Sequence, residues 1–376
     1  MDIQLTEEQE MLRDSIQRLL RDQYDFDARR KIVATEDGWS RKRWTAFAEL
    51  GLLAAPFGER AGGLGGGLLA SMIVMQEFGR RLVVEPFLET VVLAGGLIEE
   101  VGSQAQHEEY LPDIMAGEAI WALAWAEGRS RYDFHKVATT ARRRGDSYVL
   151  NGAKAAVIGA PWADKLIISA RTSGEPRDRS GVSLFIVDSH SVNLHLQSFK
   201  TIDGRRAAEI TLKEVQVPAS ALLGKEGEAV ASLEACRDRA IAGLCAEAIG
   251  AMAELNSATL EYSRTRKQFG VPLGTFQVLQ HRMVDMFIAL EESISLTQHL
   301  NLALAANEPQ GSKLASGAKA KIGYAARFVG EQAVQLHGGM GMSDELNVGH
   351  YLKRILAINI QFGDPAYHLM RFAGAN

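Results

Sequence analysis

The chain has 376 residues, of which 47% are hydrophobic and 23% charged, a globular balance with enough length for two or three domains around a sizeable core. Forty-one basic against 46 acidic side chains leave a formal charge of -5, which excludes a global basic field for nucleic acid. The two cysteines, Cys236 and Cys245, have no CxxC spacing and no histidine cluster near them, which argues against a disulfide framework or a zinc site and fits a reducing cytoplasm.

The first residues lack a basic segment followed by an apolar one, so no secretory signal is expected. The longest nearly apolar stretch, Gly62 to Met75, is interrupted by glycine and falls short of the roughly 18 residues of a membrane span. Helix is predicted from Thr6, with Thr6 and Gln9 as a capping box and Leu12, Ile16, Leu19 and Leu20 on one face. Similar periods recur at 40–52, 68–83, 88–101 and 104–116, giving an all-helical first domain over 1–119. No strand leads into the glycine cluster at 62–67 and no acidic residue follows at the required interval, so it reads as a loop and not as a dinucleotide fingerprint.

Near residue 120 the texture changes. Tyr148-Val-Leu before Asn151-Gly152 predicts a β-hairpin turning at the Asn-Gly pair, and short apolar runs follow at 166–168, 182–187, 192–196 and 208–212. These define a β-domain over 120–222. After Pro218 and Gly224 the helical period returns at 226–265, 275–305, 312–337 and 346–360, which predicts a four-helix bundle over 223–376. The expected fold class is α+β multidomain: an N-terminal α-helical domain, a middle β-barrel domain and a C-terminal helical bundle.

Several residues in the last segment suit a phosphorylated ligand. Arg266 offers a planar, permanently charged donor for a pyrophosphate, Gln277 and Gln335 can hydrogen-bond polar groups, and Gly338 and Gly339 let a backbone come close to a ligand. The plainer alternative makes Arg264, Arg266 and Lys267 a solvated helix face and the two glycines a helix end. His337, at that end, reads as a residue that caps carbonyls.

Tyr262-Ser-Arg-Thr-Arg266-Lys-Gln-Phe269-Gly270 followed by Phe276-Gln277 resembles the YxxxRxxFG…FQ signature of the acyl-CoA dehydrogenase family, and Gln335-Leu-His-Gly338-Gly339-Met-Gly341 is similar to its QxxGGxG segment. Weaker matches stand in order before them at 111–118, Glu127, Asn151-Gly-Ala-Lys154 and Glu214–Pro218, so the resemblance spans essentially the whole chain. It implies an FAD whose pyrophosphate and adenine half is held by Arg266, Phe269, Gln277, Gln335, Gly338 and Gly339 while its ring is centred in a neighbouring subunit. It further implies an acyl-CoA substrate desaturated to a 2-enoyl-CoA, an electron-transferring flavoprotein or similar acceptor, and a tetramer.

The chain departs from the pattern at the reacting end. Where the family carries its proton-abstracting glutamate, this sequence has Phe362-Gly363-Asp364, and a shift of one or two residues makes Asp364 the base. The same Asp364, ahead of Pro365, also reads as a helix N-cap. At the family's alternative base position stands Ala240, with Asp238 and Glu247 nearby; Glu247 lies in an apolar stretch and would need a partner or a raised pKa. Beside the flavin ring, the family's Thr-Glu-Pro and Trp-Ile-Thr become Ala126-Glu127-Gly128 and Ala156-Val157-Ile158, so Ala126 and Ile158 replace hydroxyls. This pattern resembles the smaller subunits of bacterial two-subunit acyl-CoA dehydrogenases. The leading expectation is an acyl-CoA dehydrogenase working as a homo-tetramer or with a larger subunit. The alternatives are a non-catalytic subunit that completes a partner's FAD site, and a flavin monooxygenase on the same fold.

Overall fold

A computed structural model describes residues 5–374. Helix α1 (Glu7–Gln23) starts as the sequence predicts: Thr6 Oγ1 accepts from the Gln9 N–H at 3.3 Å, and the Gln9 side chain accepts the Thr6 N–H at 3.1 Å. There follow α2 (Phe26–Ala34), α3 (Arg41–Glu49), α4 (Gly67–Arg81), a fully buried π-helical stretch over Leu88–Gly95, α5 (Gly96–Val101) and α6 (Gln104–Met115). The segment between α3 and α4 is turns and a short 3-10 piece, in keeping with the loop expected at 62–67.

Strands β1 (Trp121–Ala124), β2 (Thr140–Arg144), β3 (Ser147–Ile158), β4 (Lys165–Arg171), β5 (Val182–Asp188), β6 (Leu194–Lys200), β7 (Arg206–Pro218) and β8 (Leu222–Leu223) form one sheet in the order β6-β7-β3-β2-β4-β5-β8, with β1 parallel to β4. Its core includes Leu150, Leu166, Ile168, Phe185, Ile210 and Val215, each at most 1% exposed.

The hairpin expected at Asn151-Gly152 is not there. The turn lies earlier, at Gly145 and Asp146 between the paired Arg144 and Ser147, and β3 runs through the Asn-Gly pair. What the pair serves is a bulge against β7. The register shifts between Leu150 and Gly152, and Asn151 brackets Glu214, itself at φ 57°, with bonds of 2.7 and 2.9 Å. A Cβ at Gly152 would stand 2.5 Å from Thr139 Oγ1, so the close approach of the chain just before β2 requires the glycine there.

The rest is helical: α7 (Ala229–Thr265), the small hairpin of β9 (Lys267–Gln268) and β10 (Val271–Pro272), then α8 (Gln277–Ala305), α9 (Gly311–His337), α10 (Val348–Ile360) and α11 (Pro365–Phe372). By packing, the chain divides into two compact units. One gathers the chain through Lys31, Leu68–Val83 and the chain from Ile241 onward; the other comprises Ile32–Gly67 and Val84–Ala240. In the first, helices α8, α10 and α11 pack on α9. No helix among the described residues is long and apolar enough to cross a membrane.

Candidate functional site

In the unit holding the C-terminal helices, a groove of about 650 Å³ brings together Arg266, Gln335, Gly338 and Gly339, four of the residues singled out from the sequence. Helix α9 ends at His337, and Gly338 follows at φ 61°, ψ -145°, a conformation that disfavours any residue with a Cβ. Neither Gly338 nor Gly339 has a heavy atom within 4 Å of where a Cβ would be, so their backbone faces open space. His337 closes the helix end. Its Nδ1 lies 2.8 Å from Ala333 O, its ring stacks on Tyr262 at 4.4 Å, and burial lowers its pKa, so it remains neutral and structural near pH 7.

Arg266 stands just past the end of α7. Its backbone N–H donates to Tyr262 O at 2.8 Å and its carbonyl accepts from Leu273 N–H at 2.9 Å, while its exposed guanidinium has no hydrogen bond or ion pair among the described residues. A fixed backbone carrying an uncommitted guanidinium, beside glycines with open backbone, fits the pyrophosphate of a dinucleotide. Phe269 and Gln277 flank the groove without lining it. Phe269 and Gly270, at φ 54° and 84°, are the central residues of the β9–β10 turn, which leaves the Phe269 ring 93% exposed and edge-on to Phe276.

If Arg266 holds the pyrophosphate, Arg266→Ala removes a charge-assisted bond of about 1.5–3 kcal/mol. The expected result is FAD affinity lowered by roughly ten- to a hundredfold in a fluorescence titration. Unchanged affinity would remove Arg266 from the site.

The carboxylates are placed differently. Asp364 is the N-cap of α11: its Oδ1 accepts from Tyr367 N–H at 2.8 Å, with Pro365 in the first turn. The turn before it is held from inside the unit, where Lys319 Nζ donates to Ile358 O at 2.7 Å and Gly363 O at 3.2 Å, and His368 Nε2 lies 3.1 Å from Phe362 O. Burial pushes the Lys319 ammonium down to about 8, against the pull of Cys245 and Asp364. Glu247, 1% exposed, has the partner its apolar surroundings demand: Arg354 Nε and Nη2 each reach one of its oxygens at 2.6 Å. Both oxygens are thereby engaged in a bidentate pair, which suits a structural role better than proton abstraction. Neither Arg354 nor Lys319 belongs to any of the sequence motifs. The signal for Arg354 was a lone arginine on the apolar face of α10.

In the other unit, Ala126 O accepts from Ala155 N–H at 2.8 Å, and Ile158, the last residue of β3, pairs with Ala207 of β7. Neither side chain offers a polar atom, so any bond made at these positions is a backbone one.

Comparison with known proteins agrees with the resemblance along the chain. Residues 6–118, 122–215 and 238–375 match family models described as the N-terminal, middle and C-terminal domains of acyl-CoA dehydrogenase. The acryloyl-CoA reductase (NADH) of Anaerotignum propionicum is 30% identical over 91% of this chain and 87% of its own length. Among solved structures, the butyryl-CoA dehydrogenase of Megasphaera elsdenii superposes with a TM-score of 0.92 at 25% identity, covering 100% of this chain and 99% of that one. The FAD complex of PigA does so with a TM-score of 0.92 at 25% identity over 100% of both chains.

Proposed function

The chain belongs to the acyl-CoA dehydrogenase family, FAD-binding oxidoreductases acting on CH–CH bonds, and from that premise we propose that it desaturates a CoA thioester between Cα and Cβ to a 2-enoyl-CoA. The observation that carries this reading is the convergence of Arg266, Gln335, Gly338 and Gly339 on one groove. Arg266 and the amides of the glycine turn hold the pyrophosphate, and Gln335, Gln277 and Phe269 serve the adenine side. When bound, FAD supplies the hydride acceptor. Asp364 takes the α-proton, with Lys319 fixing the turn that carries it.

We further propose that the groove serves an FAD whose ring lies in another subunit, so that the chain works as a tetramer of its own kind or with a larger partner. An electron-transferring flavoprotein or similar acceptor removes the electrons. The engaged Asp364 carboxylate and the alanines at 126 and 156 favour a second reading, a subunit that completes a partner's cofactor site and borrows that partner's base.

An absorbance spectrum of the purified chain, before and after anaerobic addition of a panel of acyl-CoAs, tests both. A bound flavin that bleaches is expected. A colourless chain that gains flavin only with a co-expressed partner would establish the second reading, and a bound flavin that no acyl-CoA bleaches would count against desaturation.

A further inference from the structure

A buried lysine is paired with a half-buried glutamate in the two segments that the resemblance puts beside the flavin ring. Lys154 of β3 is 1% exposed; its Nζ donates to Glu127 Oε1 at 2.8 Å, to Ser169 Oγ at 3.0 Å and to Trp125 O at 3.5 Å. Glu127 in turn accepts the backbone N–H groups of Ala138 at 2.8 Å and Thr139 at 3.1 Å. Burial works to raise the Glu127 carboxyl, but Lys154 and the amide donors outweigh it and hold it below the usual glutamate range. Burial pushes Lys154 down to about 8.

The pair joins two stretches of chain at one point. The 125–127 segment is fastened to β3 by Lys154 and by the bond from Ala155 N–H to Ala126 O. Immediately beyond, β3 leaves regular pairing: its register against β7 shifts between Lys154 and Val157, and Ala156 takes φ 50°, a left-handed conformation unfavourable for a residue with a Cβ. Glu209 accepts the Ala156 N–H at 3.2 Å. A buried lysine–glutamate pair is weak evidence for stability, since apolar side chains of similar volume often fill such a space equally well. What it does specify is where the 125–127 backbone lies relative to the distorted 155–158 backbone.

Taking the FAD-dependent reading as its basis, we propose that Lys154 and Glu127 are positioning residues that fix the main-chain cradle of the flavin ring, so that this chain's own β-domain holds a ring through backbone groups. Ala126, Ala156 and Ile158 offer no hydroxyl, so the placement of the backbone carries the recognition that side chains would otherwise supply.

The test compares the FAD-loaded wild type with Lys154→Met and Glu127→Gln, reading FAD affinity, the visible absorption band of bound flavin and its midpoint potential. The glutamine variant keeps the shape and an acceptor for Lys154, and so remains informative if the methionine variant does not fold. The expected result is affinity lower by about tenfold, with the absorption band and potential moving toward those of free FAD. Variants with an altered unfolding midpoint but wild-type band and potential would overturn the proposal and leave the pair structural. A wild type that takes up no FAD by itself would overturn it as well, whereas a wild type with flavin that no acyl-CoA bleaches would fault only the desaturation reading.

Discussion

Replacing Arg354 with methionine is expected to lower the stability of the fold by about 3–5 kcal/mol, because it removes the bidentate partner of the buried Glu247 carboxylate. Arg354 is 3% exposed and Glu247 1%, so water cannot substitute for the lost donors. The pair also sits where the backbone has no slack. A Cβ at Gly79 of α4 would come within 2.0 Å of Glu247 O, and one at Gly250 of α7 within 1.9 Å of Gln76 O, so these helices touch backbone to backbone and cannot part to admit solvent cheaply. The double variant Glu247→Leu/Arg354→Met removes both charges and is expected to recover most of the loss. Urea unfolding of the two singles and the double measures the coupling directly. If the double variant were no more stable than Arg354→Met alone, the charge pair would not be what holds Glu247 in place.

How much of this could be read from the sequence depended on the range over which each signal acts. The Thr6 capping box, the long helices and the Asp364 cap rest on residues a few positions apart, and the sequence carries those relations explicitly. Asn151-Gly152 is ambiguous by itself: the same tolerance of unusual backbone that suits a hairpin turn suits a bulge, and only the distant Thr139 and Glu214 decide between them. Glu247 and Arg354 stand 107 residues apart, and Lys319 reaches carbonyls 39 and 44 residues away, so periodicity could mark each as anomalous without naming its partner. Arg266, Gln335 and the glycine pair were legible as motifs, although the groove that unites them forms only when α7, the β9–β10 hairpin and the end of α9 come together. The Phe269 ring stands at the tip of a turn with positive φ, beside the groove and not in its lining, a placement that motif spacing alone does not give.

Asp364→Asn separates the two roles that one carboxylate has been given. Asparagine is about as good an N-cap as aspartate, so the bond to Tyr367 N–H survives and the unfolding midpoint is expected to stay near that of the wild type. An amide is not a general base, however, so α-proton exchange of an acyl-CoA with solvent deuterium should fall by about 10²- to 10⁴-fold while FAD remains bound. Asp364→Ala serves as the complementary control: it removes base and cap together, and should lose about 1 kcal/mol of stability in addition to the exchange. Lys319 sharpens the interpretation, because it fixes the Gly363 carbonyl next to the cap, so the position of residue 364 does not depend on the Tyr367 bond alone. Undiminished exchange in Asp364→Asn, with the fold and FAD intact, would leave Asp364 a cap and nothing more. The proton would then have to go to another group, and a partner subunit with its own carboxylate would produce that outcome.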